Sequence, residues 1–417
     1  MRVAIVGAGM AGLTTGYLAS PCHEVTMFEA SPRIGGNAYA YRTQGGDDVD
    51  LAVAVFGHAG YPNFYRLLAR LGIATKRCPT SYVSFKDLER GRGLYLTPGW
   101  RGLLAQRLAI LAPKNLAALA RLALGVRHAR RALAAGRLGH LTTRDALAQN
   151  PYLKGESRVV FLSMLCLLSS MSGEEVLDAP AHFFVRKLEV HSDMLSPRAL
   201  WSVCATAKTT RSYVEALAAP FAARIRLATP IRAVRRFADH VELTRADGQR
   251  ESFDAVVFAC GADQALGLLA DPSADEQRLL GAWRYKDGRV VVHRDLSAFP
   301  KRALVEAYTF LYTDRPGGAF DTSVTGCLWR LPGVSRDCDL VSTQHPNFPI
   351  RADQIELETV LRTPIFDHAS CASQADLPTL NGANRSYFCG SYFGHGLHED
   401  AVNSGLAVAR ALGGAEL

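Results

Sequence analysis

Val3-Ala4-Ile5-Val6-Gly7-Ala8-Gly9-Met10-Ala11-Gly12 opens the stretch that decides the fold, which runs on to Glu29-Ala30-Ser31-Pro32-Arg33-Ile34-Gly35-Gly36-Asn37. The apolar run predicts a short strand entering a GxGxxG turn and a helix that Ser20-Pro21 stops. The three glycines have separate uses. Gly7 permits the tight turn, Gly9 leaves bare backbone for a pyrophosphate, and Gly12 lets the helix pack on its strand. The helix start then aims free N–H groups and its positive dipole end at the phosphates. A second strand over His23–Ala30 delivers Glu29 about 20 residues beyond the glycines, where a carboxylate accepts ribose hydroxyls. A strand, a glycine turn, a helix and an acidic strand end at these spacings point to a dinucleotide.

The continuation from Glu29 and Ala30 through Arg33, Gly35, Gly36 and Asn37 resembles the motif of glutathione-reductase-like flavoproteins of the amine oxidase, phytoene desaturase and protoporphyrinogen oxidase group. The resemblance implies FAD, held noncovalently, with Arg33 and the glycine pair wrapping the pyrophosphate beside Gly7, Ala8, Gly9, Met10, Ala11 and Gly12. It also implies an α/β fold: a discontinuous Rossmann-like FAD-binding domain carrying an inserted α+β substrate domain. The boundaries read as 1–56, 205–262 and 379–417 for the FAD domain, with 57–204 and 263–378 for the substrate domain and 97–200 mainly helical. A length of 417 residues and a hydrophobic content of 48 per cent suit two or three cores.

Val49–Phe56 is expected as one strand leading to His58 and the helix opened by Tyr61-Pro62-Asn63. The resemblance places His58 near the substrate, as the candidate catalytic residue. The segment Trp201–Leu217 resembles the family's glycine-pair helix start, with Ala207 to Thr209 replacing the glycines. Lys208 is expected at the surface. From Arg224 short strands alternate with turns, and the resemblance puts Val234 beside the adenine and Ala259-Cys260 near the middle of the cofactor. At the carboxyl end a strand over Tyr387–Gly390, a loop and a helix from His398 to Leu412 match the family's closing unit. Gly390 and Ser391 are thereby placed near the ribityl phosphate, and Leu397 and His398 below the pyrimidine. N–H groups at such a helix start stabilise negative charge on reduced flavin. Covalent attachment through Cys389 is not expected, because strand side chains pack.

The formal charge of +8 is uneven: between Gly91 and Arg144 there are many Arg and Lys and no Asp or Glu. Leucines interleave with those charges at near-helical spacing, giving basic amphipathic helices suited to a solvated face or to anionic lipid. Aromatic residues are too few there for nucleic-acid stacking. The nine cysteines are scattered without a CxxC pair, which fits a reduced cytoplasmic protein without a metal site. No transmembrane helix is expected, since the longest apolar run, Val159–Leu168, is too short. Arg2 and the apolar run after it fit a strand and turn better than a secretory signal.

The reaction these features favour is hydride removal from a carbon of an apolar, lipid-like or carrier-bound acyl substrate, of desaturase or dehydrogenase type. No second GxGxxG announces an NADPH site. Two alternatives stay open at this level: amine oxidation on the same cofactor, and a non-catalytic flavin-binding protein that docks on membranes. Oligomeric state is not legible.

Overall fold

The computed structural model describes residues 1–51, 56, 57, 59–77, 83–96, 112–191, 203–206, 208–301, 305–315, 319–331 and 334–417. Its centre is a five-stranded parallel sheet in the order Ile225–Arg226, Glu24–Phe28, Arg2–Val6, Ala255–Phe258, Ser386–Phe388. The strands Arg2–Val6 and Ala255–Phe258 are almost wholly buried, as continuous apolar runs in a parallel sheet require. Three remote parts of the sequence therefore lie side by side. The helix Met10–Ala19 packs on the final helix His398–Ala411 so tightly that a Cβ on Gly405 would sit 2.6 Å from the Ala11 carbonyl oxygen. An antiparallel meander of Ile231–Arg236, Val241–Arg245 and Arg250–Phe253 follows the outer strand.

A second, seven-stranded sheet runs in the order Ile355–Ile365, Arg284–His293, Val341–Gln344, Phe320–Cys327, Tyr308–Asp314, Val83–Asp87, Gly93–Leu96. Tyr308–Asp314 pairs in parallel with Val83–Asp87, and the other neighbours are antiparallel. Against it stand the helices Pro113–Ala134, Thr143–Ala148, Glu156–Ser169, Gly173–Asp178 and Ala181–Val190. Among the described residues no helix is long and apolar enough to cross a membrane.

Two expectations need correction. Val49–Phe56 is not one strand: Asp48–Asp50 pairs with Ala40–Arg42, whereas Phe56–Gly57 joins a different sheet beside Val203–Thr206. Asp50 has a local task that ends the first strand there. Its Oδ1 accepts the Thr210 N–H at 2.9 Å and the Thr210 hydroxyl at 2.7 Å, capping the helix Thr210–Ala218 in place of a capping bond from Thr209. The eleven-residue strand Ile355–Ile365 has no counterpart in the sequence reading. It lies at the sheet edge, where Leu357 and Leu361 pack on one side while Glu356, Glu358 and Arg362 alternate with them, and Pro364 is tolerated near its end.

Candidate functional site

The first and second glycine turns close on each other. The Gly35 N–H donates to the Ala8 carbonyl at 2.7 Å, and Gly9 bridges Gly35. Gly7 has φ +109°, and a Cβ there would lie 2.6 Å from the Ala259 carbonyl oxygen, so the turn is pressed against the neighbouring strand end. Gly9 is the opposite case: a Cβ on it would meet no protein atom within 4 Å, and it faces a cavity. Its missing side chain thus keeps space open for a ligand. Glu29 spans the turn, its carboxylate accepting the Ala8 N–H at 2.7 Å and the Ser31 N–H at 2.8 Å, with its side also lining the cavity.

The cavity holds about 1180 Å³ and is continuous from these turns to the helical insertion. A pocket for a single drug-sized ligand measures roughly 300–1,000 Å³, so this one has room for a cofactor together with part of a second molecule. At the nucleotide end it is lined by Gly7, Gly9, Met10, Ala11, Glu29, Ala30, Gly35, Gly36, Asn37, Ala259, Cys260, Gly390, Ser391, Leu397 and His398. At the far end Leu119, Leu122, Val126, Val160, Met164, Leu167 and Leu168 form an apolar chamber.

Four expected positions do not reach the cavity wall. Ala8 serves through the N–H given to Glu29, and Gly12 packs beneath the turn, where a Cβ would lie 2.2 Å from the Gly7 carbonyl. Arg33 holds the second turn from behind: Nη1 donates to the Gly36 carbonyl at 2.7 Å while the guanidinium stacks 3.7 Å from the Tyr39 ring. Val234, expected beside the adenine through its backbone groups, does not line the cavity. It is fully buried in the core, and its carbonyl accepts the Ala270 N–H, whereas Thr229, Pro230 and Ile231 line the cavity. The ladder of the meander carries a register shift between Ile231 and Ala233. His58 lies outside the described residues, as do residues 97–111 of the basic stretch and the replaced glycine position Ala207. Lys208 is exposed.

The loop from Gly390 to His398 is fastened from three sides. Gln374 donates to the Tyr392 carbonyl at 2.9 Å, and Asp400 accepts the His395 and Leu397 N–H groups at 2.9 and 2.8 Å. Lys187, from the helical insertion, donates to the His395 carbonyl at 2.6 Å. Burial pushes Lys187 down and Asp400 up, each toward its neutral form. Lys187 was not singled out from sequence, where a lysine between Arg186 and Leu188 reads as surface. His398 is half-buried on the cavity wall, bonds the Tyr213 hydroxyl at 3.0 Å, and is lowered to about 4 by desolvation, so it is neutral at pH 7. Cys389 is buried and Cys260 half-buried at the cavity wall, and desolvation pushes each thiol up to about 12, leaving no thiolate.

These residues fit a dinucleotide. Gly9 offers an open cradle, and Tyr392, which lines the cavity beside Gly390, has a buried hydroxyl with no hydrogen-bond partner among the described residues. Such an atom is the kind a bound polar group satisfies.

The profile of the family described as flavin containing amine oxidoreductase matches residues 10–299. Zeta-carotene desaturase of Zea mays is 36 per cent identical over 73 residues, which are 17 per cent of this chain and 13 per cent of that protein. L-amino-acid oxidase of Crotalus adamanteus is 60 per cent identical over 42 residues, 10 per cent of this chain and 8 per cent of that one. Those stretches are a small fraction of either relative. A fatty acid isomerase from P. acnes, described as producing CLA, shares the fold over 98 per cent of both chains, with a TM-score of 0.67 at 16 per cent identity. With the family profile matched over most of its length around a glycine-lined cavity, the chain belongs to the flavin containing amine oxidoreductase family, a family of flavin-dependent enzymes.

Proposed function

We propose that the protein is an FAD-dependent oxidoreductase that removes a hydride from a carbon of an apolar, acyl-chain substrate. The observation that carries this reading is the continuity of the cavity. One end is shaped for a dinucleotide by Gly9, Glu29 and the turn at Gly35-Gly36, and the other is a chamber of Leu122, Val126, Val160, Met164, Leu167 and Leu168. FAD held by the glycine turns would supply a hydride acceptor, and the walls near Leu397 and His398 would hold a substrate carbon beside it. Orientation supplies much of such a rate, and the cofactor accepts the two electrons with the hydrogen. The Rossmann-like character of the parallel sheet and the noncovalent hold belong to the same reading, since Cys260 and Cys389 are protonated thiols at neutral pH. Oxygen or a quinone-like acceptor then takes the electrons.

The helix Pro113–Ala134 supports a lipid source for the substrate. Leu119, Leu122 and Val126 face the cavity, while the outer face carries Lys114, Arg121, Arg127 and Arg131 beside exposed Leu116 and Leu124. A basic and apolar face of this kind attracts anionic headgroups. Purified protein is expected to be yellow, to release FAD on denaturation, and to bleach anaerobically with acyl lipids. Bleaching by amines with none by lipids moves the reading to amine oxidation. Vesicle binding without any bleaching moves it to a membrane-docking flavin binder.

A further inference from the structure

We propose that Tyr61 and His191 form the proton-accepting pair of this reaction, with Tyr61 the catalytic residue that meets the substrate. The inference rests on the hydride-removal reading above and supplies what that reading lacks. Desaturation removes a hydride from one carbon and a proton from its neighbour, so the proton needs a receiver.

Both side chains line the cavity. The Tyr61 hydroxyl lies 3.3 Å from His191 Nε2, across 130 residues of sequence. On its other side His191 Nδ1 lies 2.9 Å from the Lys187 carbonyl oxygen. A carbonyl only accepts, so Nδ1 carries the hydrogen and Nε2 is left as the acceptor for the phenol. In that tautomer Nε2 can take a proton from Tyr61.

Position supports the role. The Tyr61 ring packs on Phe56 and Phe64, whose rings also touch His398 at the start of the final helix. His191 follows Leu188, another cavity residue, in the same run of chain as the Lys187 that holds the His395 carbonyl. The pair thus stands where the nucleotide end of the cavity gives way to the apolar chamber. Charged and titratable groups around it include Lys187, His395 and Tyr213.

The step balances. As the hydride leaves one substrate carbon for the oxidised flavin, the C–H bond of the adjacent carbon breaks and its proton passes to the Tyr61 oxygen. The phenol's own proton moves to His191 Nε2, and the electron pair of that C–H bond becomes the new π bond. Imidazolium then gives its proton to solvent.

The test uses the flavin-loaded full-length protein, vesicles of dioleoyl phosphatidylglycerol and free oleic acid as probes, and the variants Tyr61→Phe, His191→Gln and the double. Expected are unchanged flavin spectra and FAD affinity, anaerobic bleaching slowed about 100-fold or more in each single variant, and no further loss in the double. A second measurement needs no substrate: the NMR titration of the His191 Cε1 proton shifts in Tyr61→Phe. Bleaching of Tyr61→Phe within about threefold of wild type overturns the pair, as does a multiplicative loss in the double variant. If neither probe bleaches the wild-type flavin, the hydride-removal reading fails for these substrates, and an unshifted His191 titration in Tyr61→Phe overturns the pair independently.

Discussion

The two ends of the cavity are built on different principles. At the glycine end the ligand is met by backbone, and what matters is which side chains are absent. At the helical end it is met by side chains, and what matters is their collective apolarity. The first kind of site is written at fixed spacings in one short run of chain. The second is assembled from helices that each read as ordinary core, so only their mutual packing shows that a chamber lies between them.

Substitutions test that contrast, and the largest effect belongs to Gly7→Ala. The added Cβ meets the Ala259 carbonyl at 2.6 Å and the residue is held at φ +109°, so a loss on the order of 3 kcal/mol is expected from overpacking and backbone strain together. Thermal melting and the yield of yellow protein measure it; an unchanged melting curve breaks the account of the turn. Gly9→Ala separates site from fold. No protein atom lies within 4 Å of that Cβ, so stability is expected to stay within about 0.5 kcal/mol of wild type, as for a substitution that disturbs no packing. FAD affinity falls at least tenfold, read by reconstitution of the apoprotein. Equal affinity means that the diphosphate does not lie there.

In the chamber, Met164→Lys is expected to preserve the flavin spectrum and to lower anaerobic bleaching by acyl substrates about tenfold or more, because it places a charge on an apolar wall. Loss of the flavin itself shows that the two ends are not separable. The triple change of Arg121, Arg127 and Arg131 to Glu is expected to reduce binding to phosphatidylglycerol vesicles in a sedimentation assay, with about 1 kcal/mol for each charge removed. Binding that survives it removes the outer face from the reading.

The smallest and most local prediction concerns Asp50. Burial raises its carboxyl to about 7 despite the two bonds from Thr210. A folded value above the unfolded one means the native state binds the proton more tightly, so this group favours folding below about pH 4 and loses that contribution as pH rises through 7. Asp50→Asn keeps an oxygen for Thr210 and removes the buried charge. Melting at pH 8 is expected to rise by a few degrees, with the difference shrinking toward pH 5; a lower melting point at pH 8 contradicts the burial argument.

Much of the nucleotide end was legible because its cause is local. Gly7, Gly9 and Glu29 act through conformations and N–H groups within one turn, whereas in the tail the His395 and Leu397 N–H groups are bonded to Asp400. In the meander Ile231 lines the cavity and Val234 does not, and the ladder carries a register shift between Ile231 and Ala233. Periodicity alone does not reveal such a shift.

The sequence by itself determined that a strand, a bare glycine turn and an acidic strand end stand together at one end of the cavity, because each requirement is met within a few neighbouring residues. It also placed a basic amphipathic stretch without acidic residues. Only the tertiary structure decided that Tyr61 meets His191, that Lys187 holds the loop before the final helix, and that the leucines of two helices enclose one chamber. Those outcomes depend on packing between segments that are separate along the chain, 130 and 208 residues apart for the two polar contacts, and such contacts carry no period by which to read them.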